Sequence, residues 1–285
     1  MTRIKDLLDA GRTLSFELFP PKTDEAERML EKAVVELAEL QPSYVSVTYG
    51  ALGSTRERTR DVVTRINHEQ AFPAMPHLTC VGHTRADIAE LLDHYASNGV
   101  ENILALGGDP PADGSDPGGD YEHASELVAQ VREHPAGFSV GVAAHPELHP
   151  RSRDRDSDRH HLAAKLEAAD FAMTQFFFSV DDYLRLVDEL AELGCDKPVV
   201  PGVMPIATVA GVRRMAGMNG SAIPDVLLER LLAVEGQAEE VRKIGVEVAT
   251  ELSAALLAED VPGLHLYALN RSESVRQIYA NLGLG

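Results

Sequence analysis

Apolar residues along this chain follow two alternating rhythms. Short runs with a period of two, the mark of strands, recur at Ser15–Phe19, Tyr44–Gly50, Met75–Val81, Asn102–Gly108, Phe138–Ala144, Phe171–Phe178, Pro198–Met204 and Gly263–Leu269. Between them the apolar spacing changes to three and four, the helical period. Thr23-Asp24 caps a helix to about Leu40, with Met29, Ala33, Leu37 and Leu40 as its apolar positions. An arginine-rich loop (Arg56, Arg58, Arg60) leads into a helix ending near Glu69. Thr84-x-x-Asp87 has the form of a capping box before a face of Ile88, Leu91, Leu92 and Tyr95, closed by Asn98-Gly99. Further helices are expected near Tyr121–Val131, His160–Ala168 and Asp181–Leu193, through most of the stretch to Glu259, and after Asn270-Arg271. Arg151–Arg159 alternates charge sign without an apolar period and reads as solvated. Asp109–Asp120, rich in proline, glycine and aspartate, reads as a surface loop and candidate lid.

Eight strands, each followed by a helix, with starts about thirty residues apart, predict βα units. One α/β domain over residues 1–285, a (β/α)8 TIM barrel, fits best. A doubly wound sheet is weakened because no Gly-x-Gly-x-x-Gly turn follows any strand. A barrel places its chemistry at the carboxyl ends of the strands. Those ends carry Glu17, Thr48, His77, Asp109, His145, Gln175 and Arg271. Each residue has a plainer reading alone: a lysine-paired glutamate beside Lys22, a β-branched strand residue, a core histidine, a turn aspartate, a capping glutamine. Their shared position favours a site. Glu17 sits between aromatic residues just before Pro20-Pro21, which ends the strand because proline lacks an N–H. A carboxyl there suits a proton donor with a raised pKa.

Composition narrows the ligand classes. The 285-residue chain is 44% hydrophobic, enough for a sizeable core, and its formal net charge is −19. Nucleic acid and anionic membranes would be repelled, and an anionic ligand needs local cations or backbone N–H groups. Cys80 and Cys195 suggest neither a metal pair nor a disulfide framework. With no apolar leader in Met1–Asp6 and no run of membrane-spanning length, a cytoplasmic protein is expected. His145-x-Glu147-x-His149, with His160-His161 nearby, raises the alternative of a metal-dependent hydrolase barrel. A non-catalytic ligand-binding barrel is a weaker third reading.

Several motifs agree in order along nearly the whole chain: Ser15-Phe16-Glu17-Leu18-Phe19-Pro20-Pro21-Lys22, Val45-Ser46-Val47-Thr48-Tyr49-Gly50, Pro76-His77-Leu78-Thr79-Cys80, Gly108-Asp109-Pro110-Pro111, Pro146-Glu147-x-His149-Pro150, Thr174-Gln175-Phe176-Phe177-Phe178, Pro201-Gly202-x-Met204-Pro205 and Leu269-Asn270-Arg271. Together they resemble the bacterial type of methylenetetrahydrofolate reductase. The resemblance implies reduction of a folate by NADH or NADPH, with FAD usually carrying the hydride. It implies Glu17 as the acid and Asp109 as the residue that contacts the pterin and tunes the donor. Gln175, Arg271 and Met215 fall at substrate-binding positions. Thr48, His77, Gly108, His145, His149, Asp158, His161 and Lys165 fall at FAD-binding positions. The chain departs from the flavin-binding pattern at Gly107, where relatives carry arginine, and at His145, His161 and Ala164. A folate position is Gly211. Hydride transfer through FAD and direct transfer from NADH therefore both stand as expectations. A homo-oligomer is compatible with the sequence.

Overall fold

Eight parallel strands close into a barrel in chain order, β1 pairing with both β2 and β8. The structure is a computed structural model and describes residues 2–49, 56–109 and 115–284. The strands are β1 (Thr13–Leu18), β2 (Tyr44–Val47), β3 (Ala74–Thr79), β4 (Asn102–Leu106), β5 (Ser139–Ala144), β6 (Phe171–Phe176), β7 (Val199–Val203) and β8 (Gly263–Leu266). The helices are α1 (Ile4–Ala10), α2 (Asp24–Ala38), α3 (Arg56–Glu69), α4 (Arg85–Ser97), α5 (Ala124–Glu133), α6 (Arg155–Ala168), α7 (Val180–Glu192), α8 (Val209–Asn219), α9 (Asp225–Ala233), α10 (Ala238–Ala258) and α11 (Ser272–Leu282).

The period of two along each strand sorts side chains to the two faces of the barrel wall. Phe16, Leu18, Val45, Val47, Ile103, Ala105, Val140 and Val142 join the large apolar layer under the helices. Tyr44, Met75, Leu104, Phe171, Met173 and Val200 instead fill the barrel interior with Ile4. Helix α1, which the apolar pattern did not announce, lies across the amino-terminal mouth. Ile4 N–H donates to Asn102 Oδ1 at 2.7 Å and Lys5 N–H to Ser139 Oγ at 3.1 Å, at the first residues of β4 and β5. Leu7 and Leu8 pack on the same interior cluster.

Local signals hold where the residues cap or bury. Thr23 caps α2 by accepting from Ala26 N–H, worth about 1 kcal/mol. Thr84 and Asp87 form both bonds of the capping box on α4. Other expectations need correction. Arg56, Arg58 and Arg60 are not in a loop but in the first turns of α3. Met29 is 43% exposed, because Leu30 and Val34 fill the buried face of α2 instead. Arg151–Arg159 is not simply solvated: Arg155 begins α6, and Asp158 and Arg159 are buried. Seven of the eight strands end one to three residues earlier than the alternation suggests, so Thr48 and Asp109 lie on the exit loops; β5 ends at Ala144 as expected, with His145 at its exit. Gly50, Pro110-Pro111 and part of the expected lid lie outside the described residues.

Candidate active site

Parallel pairing around a closed barrel puts every strand exit at one mouth. Glu17, next to last in β1, is 7% exposed. Its Oε2 lies 3.5 Å from His77 Nε2 and 3.7 Å from His265 Nε2. Lys22, its simplest sequence-level partner, is exposed. His265 is fully buried on β8, with Nδ1 2.8 Å from Ser15 Oγ and Nε2 3.4 Å from Ser46 Oγ. Ser15 Oγ–H also donates to Leu264 O. Nδ1 of His265 thus meets Ser15, and Nε2 faces Ser46 and Glu17. Burial pushes His77 down to about 4, so it is neutral near pH 7. Tyr267 O–H donates to Thr174 O at 2.8 Å, and burial, then the Glu17 charge, holds the phenol protonated.

Backbone geometry fixes this corner. Leu269 N–H donates to Glu17 O at 3.0 Å. Asn270 pairs with Phe19 through two bonds of 2.9 Å: Phe19 N–H donates to Oδ1, and Nδ2–H donates to Phe19 O. Leu269 and Asn270 both have left-handed φ, 50° and 61°, a conformation asparagine tolerates far better than leucine. The turn delivers the exposed Arg271 to the mouth as N-cap of α11. At the neighbouring β7, a Cβ on Gly202 would lie 2.4 Å from Thr174 O and 2.8 Å from the Tyr267 ring, so only glycine fits.

The opposite side is built from β3, β4 and β5. His77 Nε2 and Thr79 Oγ1, both on β3, are buried without hydrogen-bond partners. Gly107 O accepts from Val81 N–H at 3.1 Å and from Cys80 Sγ–H at 3.2 Å. Gly108 has φ +86°, and a Cβ there would meet Val81 Cγ1 at 2.4 Å. Asp109 is exposed beside this shelf, and its charge is felt by His149. His145 and His149 pack edge to face with centroids 4.5 Å apart. Burial, then His149, drives His145 down to about 3. His149 is also lowered, by burial first.

Arg159 organises the β5–α6 loop. Its guanidinium donates to the carbonyls of His145, Pro146 and Glu147 and to the carboxylates of Asp158 and Glu189. Asp158 also accepts from Ser152 Oγ–H at 2.7 Å, so both its oxygens are engaged. Lys165 reaches toward Ala143 O at 3.5 Å, and burial lowers its pKa. His161 is exposed, with Nδ1 3.5 Å from Ser157 Oγ. The metal-hydrolase reading is not supported: Glu147 turns away to accept Ala222 N–H at 2.8 Å. Among the described residues no three His, Cys, Asp or Glu side chains converge in a way that could hold an ion.

On the third side, Asn219 at the end of α8 donates to Gln175 Oε1 at 3.4 Å, leaving the glutamine's amide N–H groups as donors to a ligand. Met215 packs on the apolar cluster beneath α8, and Gly211 N–H donates to the Thr208 cap. Sequence reasoning missed Ser15, Ser46, His265, Tyr267, Asn270 and Arg159. The alternation His265-Leu266-Tyr267 was the available signal for two of them.

The sequence model of the methylenetetrahydrofolate reductase family matches residues 3–283. The chain is 36% identical over 272 residues to 5,10-methylenetetrahydrofolate reductase of Salmonella typhimurium, covering 95% of this chain and 90% of the relative. The Escherichia coli protein of that name is 35% identical over the same coverage. Methylenetetrahydrofolate reductase (NADH) 1 of Arabidopsis thaliana is 36% identical, covering 99% of this chain and 50% of the plant protein. Among solved structures, a Clostridium thermocellum protein that binds 5-methyl-5,6,7,8-tetrahydrofolic acid shares the fold, with a TM-score of 0.69, 13% identity, and 99% and 98% of the two chains covered. The chain belongs to the methylenetetrahydrofolate reductase family.

Proposed function

We propose that this protein reduces 5,10-methylenetetrahydrofolate to 5-methyltetrahydrofolate with NADH as hydride source and Glu17 as proton donor. Membership of the family supports the reaction, and NADH is the donor named for the Arabidopsis relative. The observation that carries the acid assignment is the buried carboxyl of Glu17 at the mouth, flanked by two imidazoles and without a lysine or arginine partner among the described residues. Protonation of one bridging amine of the folate breaks its bond to the methylene carbon. The other nitrogen then holds that carbon as an iminium. Hydride addition to the carbon completes the methyl group, so one hydride and one proton are consumed per turnover. His265, whose Nε2 faces Glu17 Oε2 at 3.7 Å, is placed to orient the acid.

Asp109, exposed at the end of β4, accepts hydrogen bonds from the pterin in this reading. Gln175 donates to substrate through the amide that Asn219 orients. Arg271 meets the anionic tail of the folate, and Met215 offers an apolar contact. What supports a fit of FAD to the mouth is that two buried polar atoms on β3, His77 Nε2 and Thr79 Oγ1, lack hydrogen-bond partners. Thr48, His77, Gly108, His145, His149, His161 and Lys165 would hold it, with Asp158 acting indirectly by fixing Arg159. When bound, FAD would supply a hydride relay between nicotinamide and folate. Direct transfer from NADH is the second reading, favoured by the missing donors at Gly107 and Ala164. The cytoplasm is the proposed compartment, since two unpaired thiols suit a reducing interior. No helix among the described residues is long and apolar enough to cross a membrane.

An anaerobic assay of NADH oxidation with methylenetetrahydrofolate, with and without added FAD, tests the proposal. Folate-dependent oxidation is expected. Yellow purified protein with stoichiometric FAD rejects direct transfer, whereas no folate-dependent oxidation in either condition overturns the activity.

A further inference from the structure

We propose that Arg151, on the β5–α6 loop, is the cation that clamps the diphosphate of the dinucleotide bound in this mouth. The inference rests on the reading that the mouth binds FAD or NADH, and it deepens that reading by naming the anion's partner.

Three observations converge on Arg151. Gly107 does not have a left-handed φ, so its backbone would accept a side chain. Among the described residues, the one atom that a Cβ there would meet within 4 Å is Arg151 Nη2, at 3.7 Å. The guanidinium thus fills the space above Gly107 that a side chain from β4 would otherwise enter. Its position is set at both ends. Arg151 N–H donates to His149 Nδ1 at 3.1 Å, and Nη2–H donates to Gly108 O at 3.2 Å. The shelf under it is rigid, since Gly107 O takes two bonds from the β3 exit and Gly108 is wedged against Val81.

The guanidinium is also available. Among the described residues no carboxylate lies within 4 Å of it, although this chain carries 45 acidic residues against 26 lysines and arginines. Arg153, Arg155 and Arg159, on the same segment, are all paired with carboxylates. A guanidinium presents five N–H donors in a planar fork, and one is used here on Gly108 O. The remaining fork suits bidentate contact with phosphate oxygens. On a protein of net charge −19, a diphosphate requires such a local cation. Lys165 supplies it less well, because its amine is buried and its charged form disfavoured. Asp109, next to the shelf, is a nearby exposed carboxylate that would repel a diphosphate, which makes a local cation more necessary.

The test is a binding titration of FAD and, separately, of NADH against wild type, Arg151→Ala, Arg151→Lys, Arg153→Ala and the double variant Gly107→Arg/Arg151→Ala. Thermal melts confirm that each folds. Loss of a charge-assisted bidentate contact predicts about 10- to 100-fold weaker binding of the resident dinucleotide to Arg151→Ala. The variant should also have a shallower salt dependence, with Arg151→Lys intermediate and Arg153→Ala unchanged. The double variant should regain much of the lost affinity, since an arginine from residue 107 enters the space vacated by Arg151. If wild type binds FAD, the FAD arm carries the result; if it binds only NADH, the NADH arm does. Wild-type affinity for both dinucleotides in folded Arg151→Ala overturns the clamp while leaving the dinucleotide reading intact. Failure of wild type to bind either dinucleotide overturns both.

Discussion

Glu17→Gln separates proton donation from everything else the residue does. The amide matches the carboxyl in size and remains neutral, so it still fits a site where the side chain is 9% exposed and lies 3.5 Å and 3.7 Å from two imidazoles. None of the contacts that hold the corner requires the Glu17 side chain. Leu269 N–H binds the Glu17 backbone carbonyl, and Asn270 binds Phe19. The fold should survive, with a denaturation midpoint within a few degrees of wild type. NADH affinity should stay within about twofold. What disappears is the acidic proton that opens the methylene bridge. General acid catalysis contributes about 10²- to 10⁴-fold, equivalent to about 3 to 5 kcal/mol of barrier. Anaerobic turnover of methylenetetrahydrofolate should fall by that factor while NADH binding, measured by fluorescence titration, is preserved. A folded variant that keeps more than about a tenth of the wild-type folate turnover would refute the acid role.

Other expected outcomes follow from packing and protonation. His77 and His145 stay neutral down to about pH 4 and about pH 3, whereas an unfolded imidazole takes up a proton near 6.5. The unfolded chain therefore binds more protons below pH 6.5, so stability is full above that value and is lost as pH falls. By pH 5 each histidine accounts for about 2 kcal/mol, from 1.5 units at about 1.4 kcal/mol per unit. Urea midpoints should be flat from pH 7 to 8 and drop toward pH 5, with a gentler slope in His77→Gln; equal slopes would contradict the burial argument. Gly202→Ala places a Cβ 2.4 Å from Thr174 O and should cost about 1–3 kcal/mol in chemical denaturation. Its unchanged stability would show that β7 can move away from Tyr267. Asn270→Ala removes both bonds to Phe19 and a residue suited to φ 61°, so folate kcat should fall with little change in the NADH dissociation constant. A loss confined to NADH binding would contradict that geometry.

The barrel was legible because its strands are short, regular and separated by helices of ordinary length. Signals that act within a few residues also held: the Thr23 and Thr84 caps, and the apolar face of α4. Features that depend on distant partners were not legible. Helix α1 spans seven residues, lacks a side-chain cap, and is held by bonds to residues 98 and 134 positions away. Arg159 sits in a run of alternating charge that looks solvated, yet it is 2% exposed because it gathers three carbonyls and two carboxylates. His265 escaped notice for a related reason. Alternation says that it faces opposite to Leu264 and Leu266, but only closure of the barrel makes that face an interior. The strand-exit residues were found because a barrel has one functional end; the serines and imidazole that support Glu17 lie one layer deeper.

Helix α1 leaves the cylinder with a single doorway. Ile4 and the aromatic and sulfur-bearing side chains behind it stop up the far end, so nothing the size of a pterin or a nicotinamide can pass through. Whatever carries electrons in must share its threshold with whatever carries carbon out, and visitors too bulky to stand there together must take turns.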